Sequence, residues 1–128
     1  ITYPTSVFVT SEHLRRSLKL LNPGVVDLVF AGCRFPSEIQ RAWWKTSDHS
    51  VEPVFDGYQA RRSQDLRPAF YDAGQFYWFK GDAWRAEVVE HGVGRAMFEL
   101  NPLDAVDINT IEDWEIAETL YEIRRGSH

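Results

Sequence analysis

Apolar residues at Leu14, Leu18 and Leu21 recur at helical spacing, so the pattern predicts a helix from about Ser11 to Leu21. Ser11 stands where an N-cap belongs, and Glu12 is favourable in the first turn. Asn22-Pro23-Gly24 stops the helix. Ahead of it, "ITYPTSVFV" reads as the end of a strand running into a loop at Pro4-Thr5-Ser6. Behind it, "VVDLVFAGC" is a short β-branched run bounded by turn residues, the pattern of a buried, parallel strand. Strand, loop, helix and strand make a βαβ unit with a right-handed crossover.

The middle of the chain behaves differently. "IQRAWWKT" and "VEPVFDGY" flank the polar turn Ser47-Asp48-His49-Ser50 and predict a hairpin or arm over about residues 35–65. Trp43 and Trp44 alternate across that strand, so one can join a core while the other meets a partner chain. "QFYWF" (75–79) is a further strand. Asp82 caps a short helix through Val89, and Gly92 to Gly94 form a loop. "AMFEL" and "AVDI" are short strands separated by Asn101-Pro102. Thr110 and Asp113 form a capping box with Asp in the acidic position. The last helix sets Trp114, Ala117 and Leu120 or Tyr121 on one buried stripe. The whole reads as one α/β domain over residues 1–124 carrying an inserted arm, with 125–128 a tag remnant or tail.

Composition narrows the function classes. A chain of 128 residues, 44% apolar and 26% charged, supports one ordinary globular core. The net charge of −5 argues against a nucleic-acid partner. No apolar stretch approaches a membrane span and no signal peptide is visible. The single Cys33 lies in an apolar run and reads as a buried, inert thiol in a reducing, cytoplasmic setting. Five Trp in so short a chain must be buried or serve an interface. His13, His49 and His91 show no zinc spacing, and there is no P-loop, GxGxxG or GxSxG.

Three places can carry chemistry. "PTS" (4–6) follows a strand, where small hydroxyls can contact a sugar or phosphate, or simply form a turn. "ARRSQDLRPAFYDAGQFYWFK" (60–80) gathers Arg61, Arg62 and Arg67 in an acidic protein. Arginine forks suit carboxylates and phosphates, Gln64 can bond a polar ligand, and Tyr71 and Tyr77 offer hydroxyls. The same stretch is equally a solvated basic loop followed by an aromatic core strand. Asp107, with Asn109 two residues on, suits a hard cation. Asn109 or Thr110 can equally cap a helix, and spacing leaves both readings standing.

Taken together, these segments resemble the acylneuraminate cytidylyltransferases, and within them the pseudaminic acid group. "RRSQDLRPAFYDAGQFYW" is similar to that group's Arg-Ser-Gln-Asp-Leu … Asp-Ala-Gly-Gln-Phe-Tyr-Trp stretch. Ala73-Gly74-Gln75 stands where sialic-acid-type members usually carry Asn-Gly-Ala. "FPSEIQRAWW" resembles Phe-Pro-Ile-Gln-Arg-Ala, "YPTSVF" resembles Gln-Pro-Thr-Ser-Pro-Leu, and "VDINTIEDW" resembles Asp-Ile-Asp-Thr-Pro-Glu-Asp-Trp.

The resemblance implies a Rossmann-like, GT-A-like mixed α/β sheet with a dimerisation arm. It implies transfer of CMP from CTP to a nine-carbon acidic sugar of the pseudaminic or sialic type, with Mg²⁺ and release of pyrophosphate. By the same resemblance Asp107 and Asn109 are metal ligands, and Thr5, Ser6, Arg62, Gln64, Gln75 and Tyr77 line the substrate pocket. Asn109 replaces the family's second metal-binding aspartate. The family's Ala-Arg-Gly-Gly-Ser-Lys nucleotide segment is absent, so the chain resembles the carboxyl-terminal half. The alternative expectation is a non-catalytic sugar-binding or dimerisation module lacking the nucleotide half.

Overall fold

The computed structural model of the chain describes residues 1–81 and 94–126. In order, these form helix α1 (Ser11–Leu18) and strands β1 (Leu28–Arg34), β2 (Trp43–Lys45), β3 (Val51–Pro53), β4 (Phe70–Phe79) and β5 (Arg95–Glu99). Helix α2 (Ile111–Gly126) closes the described chain. The helix expected over 82–89, His91 and all of the 92–94 loop except Gly94 lie outside the described residues. Two compact units result, one of Ile1–Cys33 with Asp72 onward, the other of Arg34–Tyr71.

The first unit is built on a three-stranded sheet in the order β4-β1-β5. β1 is its buried member: Val29, Ala31 and Cys33 have no exposed surface. Side chains alternate across a strand, so the half-buried Phe30 and the buried Gly32 of its other face complete a strand that is apolar on both sides. β1 and β5 run parallel, from Leu28↔Arg95 to Gly32↔Glu99. Thr2 bridges Phe76 of β4 antiparallel, which makes the sheet mixed and the unit α/β. The expected pairing of the amino-terminal strand with β1 does not form. Residues 1–3 meet β4 instead, and β5 is the parallel partner of β1.

Gly94 starts that pairing. Its carbonyl accepts from the N–H groups of both Asp27 (2.8 Å) and Leu28 (3.2 Å). Its φ is +85°, and a Cβ there would collide with the Val25 carbonyl, so only glycine fits.

Helix α1 begins one residue before the sequence suggests. Thr10, not Ser11, is the N-cap: its Oγ1 accepts from the His13 N–H at 3.2 Å, and His13 Nδ1 accepts from the Thr10 N–H at 3.3 Å. The helix ends at Leu18, a turn early, because Asn22-Pro23-Gly24 forms its own tight turn closed by an Asn22↔Val26 bridge. The one fully buried residue of α1 is Ser17, which accepts from the Trp78 indole N–H at 2.9 Å and ties the helix to β4. Ala31, Phe76 and Leu100 form the core beneath, with Leu14 and Trp78 packed against it.

The "AVDI" strand expected at 105–108 is irregular chain following a 3-10 turn at Pro102–Asp104. Its Val106 carbonyl accepts from a Gln75 side chain, so a side chain takes the place of a neighbouring strand. The capping box at α2 forms as expected. Asp113 Oδ2 accepts from the N–H groups of Asn109 and Thr110, and Thr110 Oγ1 accepts from the Asp113 N–H. These bonds hold the Asp113 carboxyl below the usual carboxylate range. Of the predicted α2 stripe, Ala117 is buried and Leu120 half-buried, whereas Trp114 and Tyr121 are exposed.

In the second unit, β2 and β3 form the expected antiparallel hairpin, with Trp43↔Pro53, Trp44↔Glu52 and Lys45↔Val51 in register. Trp43 and Trp44 are 51% and 60% exposed, so neither indole joins a core. A two-stranded ribbon with three-residue strands has no second layer to cover either face. Among the described residues, no helix is long and apolar enough to cross a membrane.

Candidate functional site

Strand β4 departs from regular pleating where the candidate site lies. Gly74 has φ +63°, and its N–H donates to Asp72 Oδ1 at 2.9 Å. This local turn within the strand lets consecutive residues Gln75 and Phe76 both be buried. The Gln75 amide donates to the Ala73 carbonyl (3.1 Å) and to the Val106 carbonyl (3.3 Å). Its Oε1 is buried without a partner among the described residues. The Gln75 backbone carbonyl accepts from Ser6 Oγ at 2.7 Å, which fixes the turn holding Thr5 and Ser6 beside β4.

Asp107 follows Val106 directly, so the Gln75 tether fixes the backbone that carries its carboxylate. Asn109 Nδ2 donates to Asp107 Oδ2 at 2.9 Å. A Cβ on Gly74 would lie 3.9 Å from that same oxygen, at ordinary van der Waals contact, so Gly74 and the carboxylate are neighbours. Asp107 is half-buried and Asn109 exposed.

The hydroxyl of Tyr77 donates to Asp72, 3.0 Å from each carboxylate oxygen. Burial pushes this phenol well above the usual tyrosine range, and the hydrogen bond and charge of Asp72 push it further, with smaller contributions from Tyr3 and Asp107. Tyr77 therefore stays protonated and acts as a donor. Tyr3 meets its ring edge-on at 6.1 Å, and Phe79 stacks at 6.0 Å. The result is an aromatic ledge with two carboxylates acting on one phenol.

Six of the eight residues that the resemblance assigns to metal or substrate thus fall on one connected part of the first unit: Thr5, Ser6, Gln75, Tyr77, Asp107 and Asn109. Arg62 and Gln64 belong to the second unit. Arg62 Nε donates to Asp65 Oδ2 at 3.2 Å, and Gln64 is exposed in a 3-10 turn at Ser63–Asp65. Sequence reasoning missed Asp72 and Tyr3. The signal for Asp72 is the Asp-x-Gly spacing, since an aspartate two residues before a glycine can fold back on its N–H.

A divalent cation can be tested against these donors. Asp107 offers one carboxylate, and a half-turn of the Asn109 amide would exchange its N–H for an oxygen facing the same point. Among the described residues, no group of three His, Cys, Asp or Glu side chains is placed to hold a metal. Two oxygens suit a magnesium ion that keeps water or takes further oxygens from a ligand, and do not suit a cation needing a protein cage.

No family model matches the chain. Curated relatives do. The chain is 30% identical over 125 residues to a pseudaminic acid cytidylyltransferase of Campylobacter jejuni subsp. jejuni serotype O:2, covering 98% of this chain and 54% of that protein. It is 29% identical, with the same coverage, to the protein of that name from serotype O:23/36. It is 26% identical over 117 residues to a Helicobacter pylori protein named pseudaminic acid cytidylyltransferase and UDP-2,4-diacetamido-2,4,6-trideoxy-beta-L-altropyranose hydrolase, covering 91% of this chain and 22% of that protein. The resemblance read from the motifs is therefore borne out along nearly the whole chain. The chain spans about half the length of the Campylobacter relatives it matches.

Proposed function

We propose that this chain forms part of an enzyme that transfers CMP from CTP to a nine-carbon acidic sugar of the pseudaminic acid type, releasing pyrophosphate. The observation that carries the reading is the likeness to pseudaminic acid cytidylyltransferases over 98% of the chain, supported by Asp107, which lies beside Gly74, is bonded by Asn109 and acts on the Tyr77 phenol. In this reading the fold is a Rossmann-like, GT-A-like nucleotidyltransferase. The hairpin β2–β3 is a dimerisation arm, and the two exposed indoles support that role.

Asp107 and Asn109 would hold Mg²⁺, which when bound neutralises phosphate charge and orients the attacking hydroxyl. The protein's own groups do the rest. Gln75 acts from beneath, fixing the 105–108 backbone so that Asp107 keeps its direction. The Tyr77 phenol, held protonated, keeps the Asp72 carboxylate pointed along the strand. The half-exposed Tyr3 ring, set edge-on to Tyr77, offers an aromatic surface to a sugar. Thr5 and Ser6 sit on the turn beside them. Arg62 is a candidate for the sugar's carboxylate, because a guanidinium fork matches that geometry. With a neutral amide in place of a second carboxylate, the site carries one negative charge fewer and should hold Mg²⁺ more weakly.

Isothermal titration tests the reading. Joined to the unmatched portion of the serotype O:2 relative, the chain should give heat with pseudaminic acid, and Mg²⁺-dependent heat with CTP that Asp107→Ala removes. A folded fusion silent with both would refute it. Heat with the sugar alone would favour a non-catalytic sugar-binding module.

A further inference from the structure

Helix α2 is apolar around too much of its circumference for a helix lying on a surface. Ile111, Trp114, Ile116, Tyr121 and Ile123 are all more than half exposed, and of the sixteen residues only Ala117 is buried. At about 100° per residue, these side chains with Ala117 and Leu120 are spread over roughly 240° of the helix, with Asp113, Glu118, Arg124 and Arg125 falling among them, against the ~100° stripe of a helix resting on one layer. Trp114 and Tyr121 lie a heptad apart on one side, and Ile116 and Ile123 a heptad apart on another.

The first of these sides also forms a groove. Trp114, Ala117 and Tyr121 face Val7, Phe8 and Ile108 across a cavity of about 230 Å³. A second hollow of about 400 Å³ shares Val7, Phe8 and Tyr121 and runs on to Arg124 and Arg125. The other side, with Ile116 and Leu120, lines a separate shallow hollow.

A second copy of the chain laid against α2 would cover one side and leave the other wet. Covering both needs polypeptide on two sides of the helix, as happens when a helix sits inside a larger fold. The Campylobacter relatives have the needed material, since a little under half of each lies outside the matched stretch. We propose that α2 and its groove with residues 7–10 are a fold-completing interface, covered by polypeptide equivalent to the portion of the cytidylyltransferase relatives that this chain does not match. The inference rests on the same likeness as the proposed activity, but it needs no turnover, so the two can fail separately.

The test compares the chain alone with a fusion joining it to the unmatched portion of the serotype O:2 relative, in the order found there. Trp114→Cys and Ile116→Cys each place a thiol on one side of α2, and Lys19→Cys, at the exposed end of α1, is the control. Alkylation at 114 and at 116 should slow by at least about tenfold in the fusion, with the control unchanged. Equal rates in fusion and chain would overturn the proposal. So would a chain whose sites 114 and 116 are both slow when concentrated and fast on dilution, because a second copy would then be the cover. Rapid labelling of the buried Cys33 would reveal a misfolded fusion, and the unmatched portion supplied by co-expression as a separate polypeptide then gives the same readout.

Discussion

Replacing Ser17 with alanine removes one oxygen from a fully buried position and leaves the Trp78 indole N–H facing α1 without an acceptor. Three terms set the cost. The lost hydrogen bond is worth about 0.5–1.5 kcal/mol, and a buried donor left unpaired adds about 1–3 kcal/mol of desolvation. The indole is only partly buried, so the lower end of the second range applies. Alanine is the better helix former and returns some tenths of a kcal/mol, offsetting part of the loss. The sum is a destabilisation of about 1–2 kcal/mol, or roughly 3–8 °C in Tm for a chain of this size. Urea unfolding followed by circular dichroism should show it as a lower midpoint with an unchanged m-value. Trp78→Phe loses packing as well as the donor, so a double-mutant cycle is needed to isolate the bond. The pair should then cost about 1 kcal/mol less than the sum of the single changes. Additive effects, or a Ser17→Ala chain as stable as wild type, would show that packing alone docks α1 on the sheet.

Other outcomes follow from single contacts. Gly94→Ala should cost at least about 2–3 kcal/mol in the same unfolding assay, because a positive φ and a collision with the Val25 carbonyl act together; wild-type stability would refute the backbone placement. Asp72→Asn should let Tyr77 ionise at lower pH, read from phenolate absorbance, and an unchanged titration would assign the shift to burial alone. For the wild type, a raised folded-state value means that the Tyr77 contribution to stability is complete below the ordinary tyrosine value of 10.0 and is lost as pH rises beyond it. Asp113 has the opposite sign. Its contribution is present above the ordinary value of 3.8 and lost as pH falls, so Asp113→Ala should lower the neutral-pH midpoint while flattening its decline into acid.

Much of the architecture was legible where a local rule and the tertiary structure agree. The β-branched run before Cys33 became the buried parallel strand, and Ser47–Ser50 became the hairpin turn. Thr110 and Asp113 became the α2 cap. Misreadings came where a partner decides. Val106 had strand-like neighbours, but a glutamine side chain took its carbonyl. Thr10 outcompeted Ser11 as a cap because His13, three residues on, could close the reciprocal bond. Trp114 and Tyr121 have the spacing of a buried stripe, and spacing names no occupant. In the candidate site, Asp107 and Tyr77 were visible from the motifs. The Asp72 contact was not, because it depends on a backbone turn inside a strand. Arg62 and Gln64 lie in a different compact unit, and chain order alone does not say which side chains a ligand would meet.

That turn has a further consequence, one of parity. Asp72 and Tyr77 are five residues apart, an odd number, so an unbroken strand would send them to opposite faces of the sheet. The left-handed conformation of Gly74 shifts the count by one step and brings the phenol back to the carboxylate. A β-branched residue at 74 would favour regular pleating, and the two groups would part without either being altered. The side-chain chemistry of this strand is thus written partly in a residue that has no side chain.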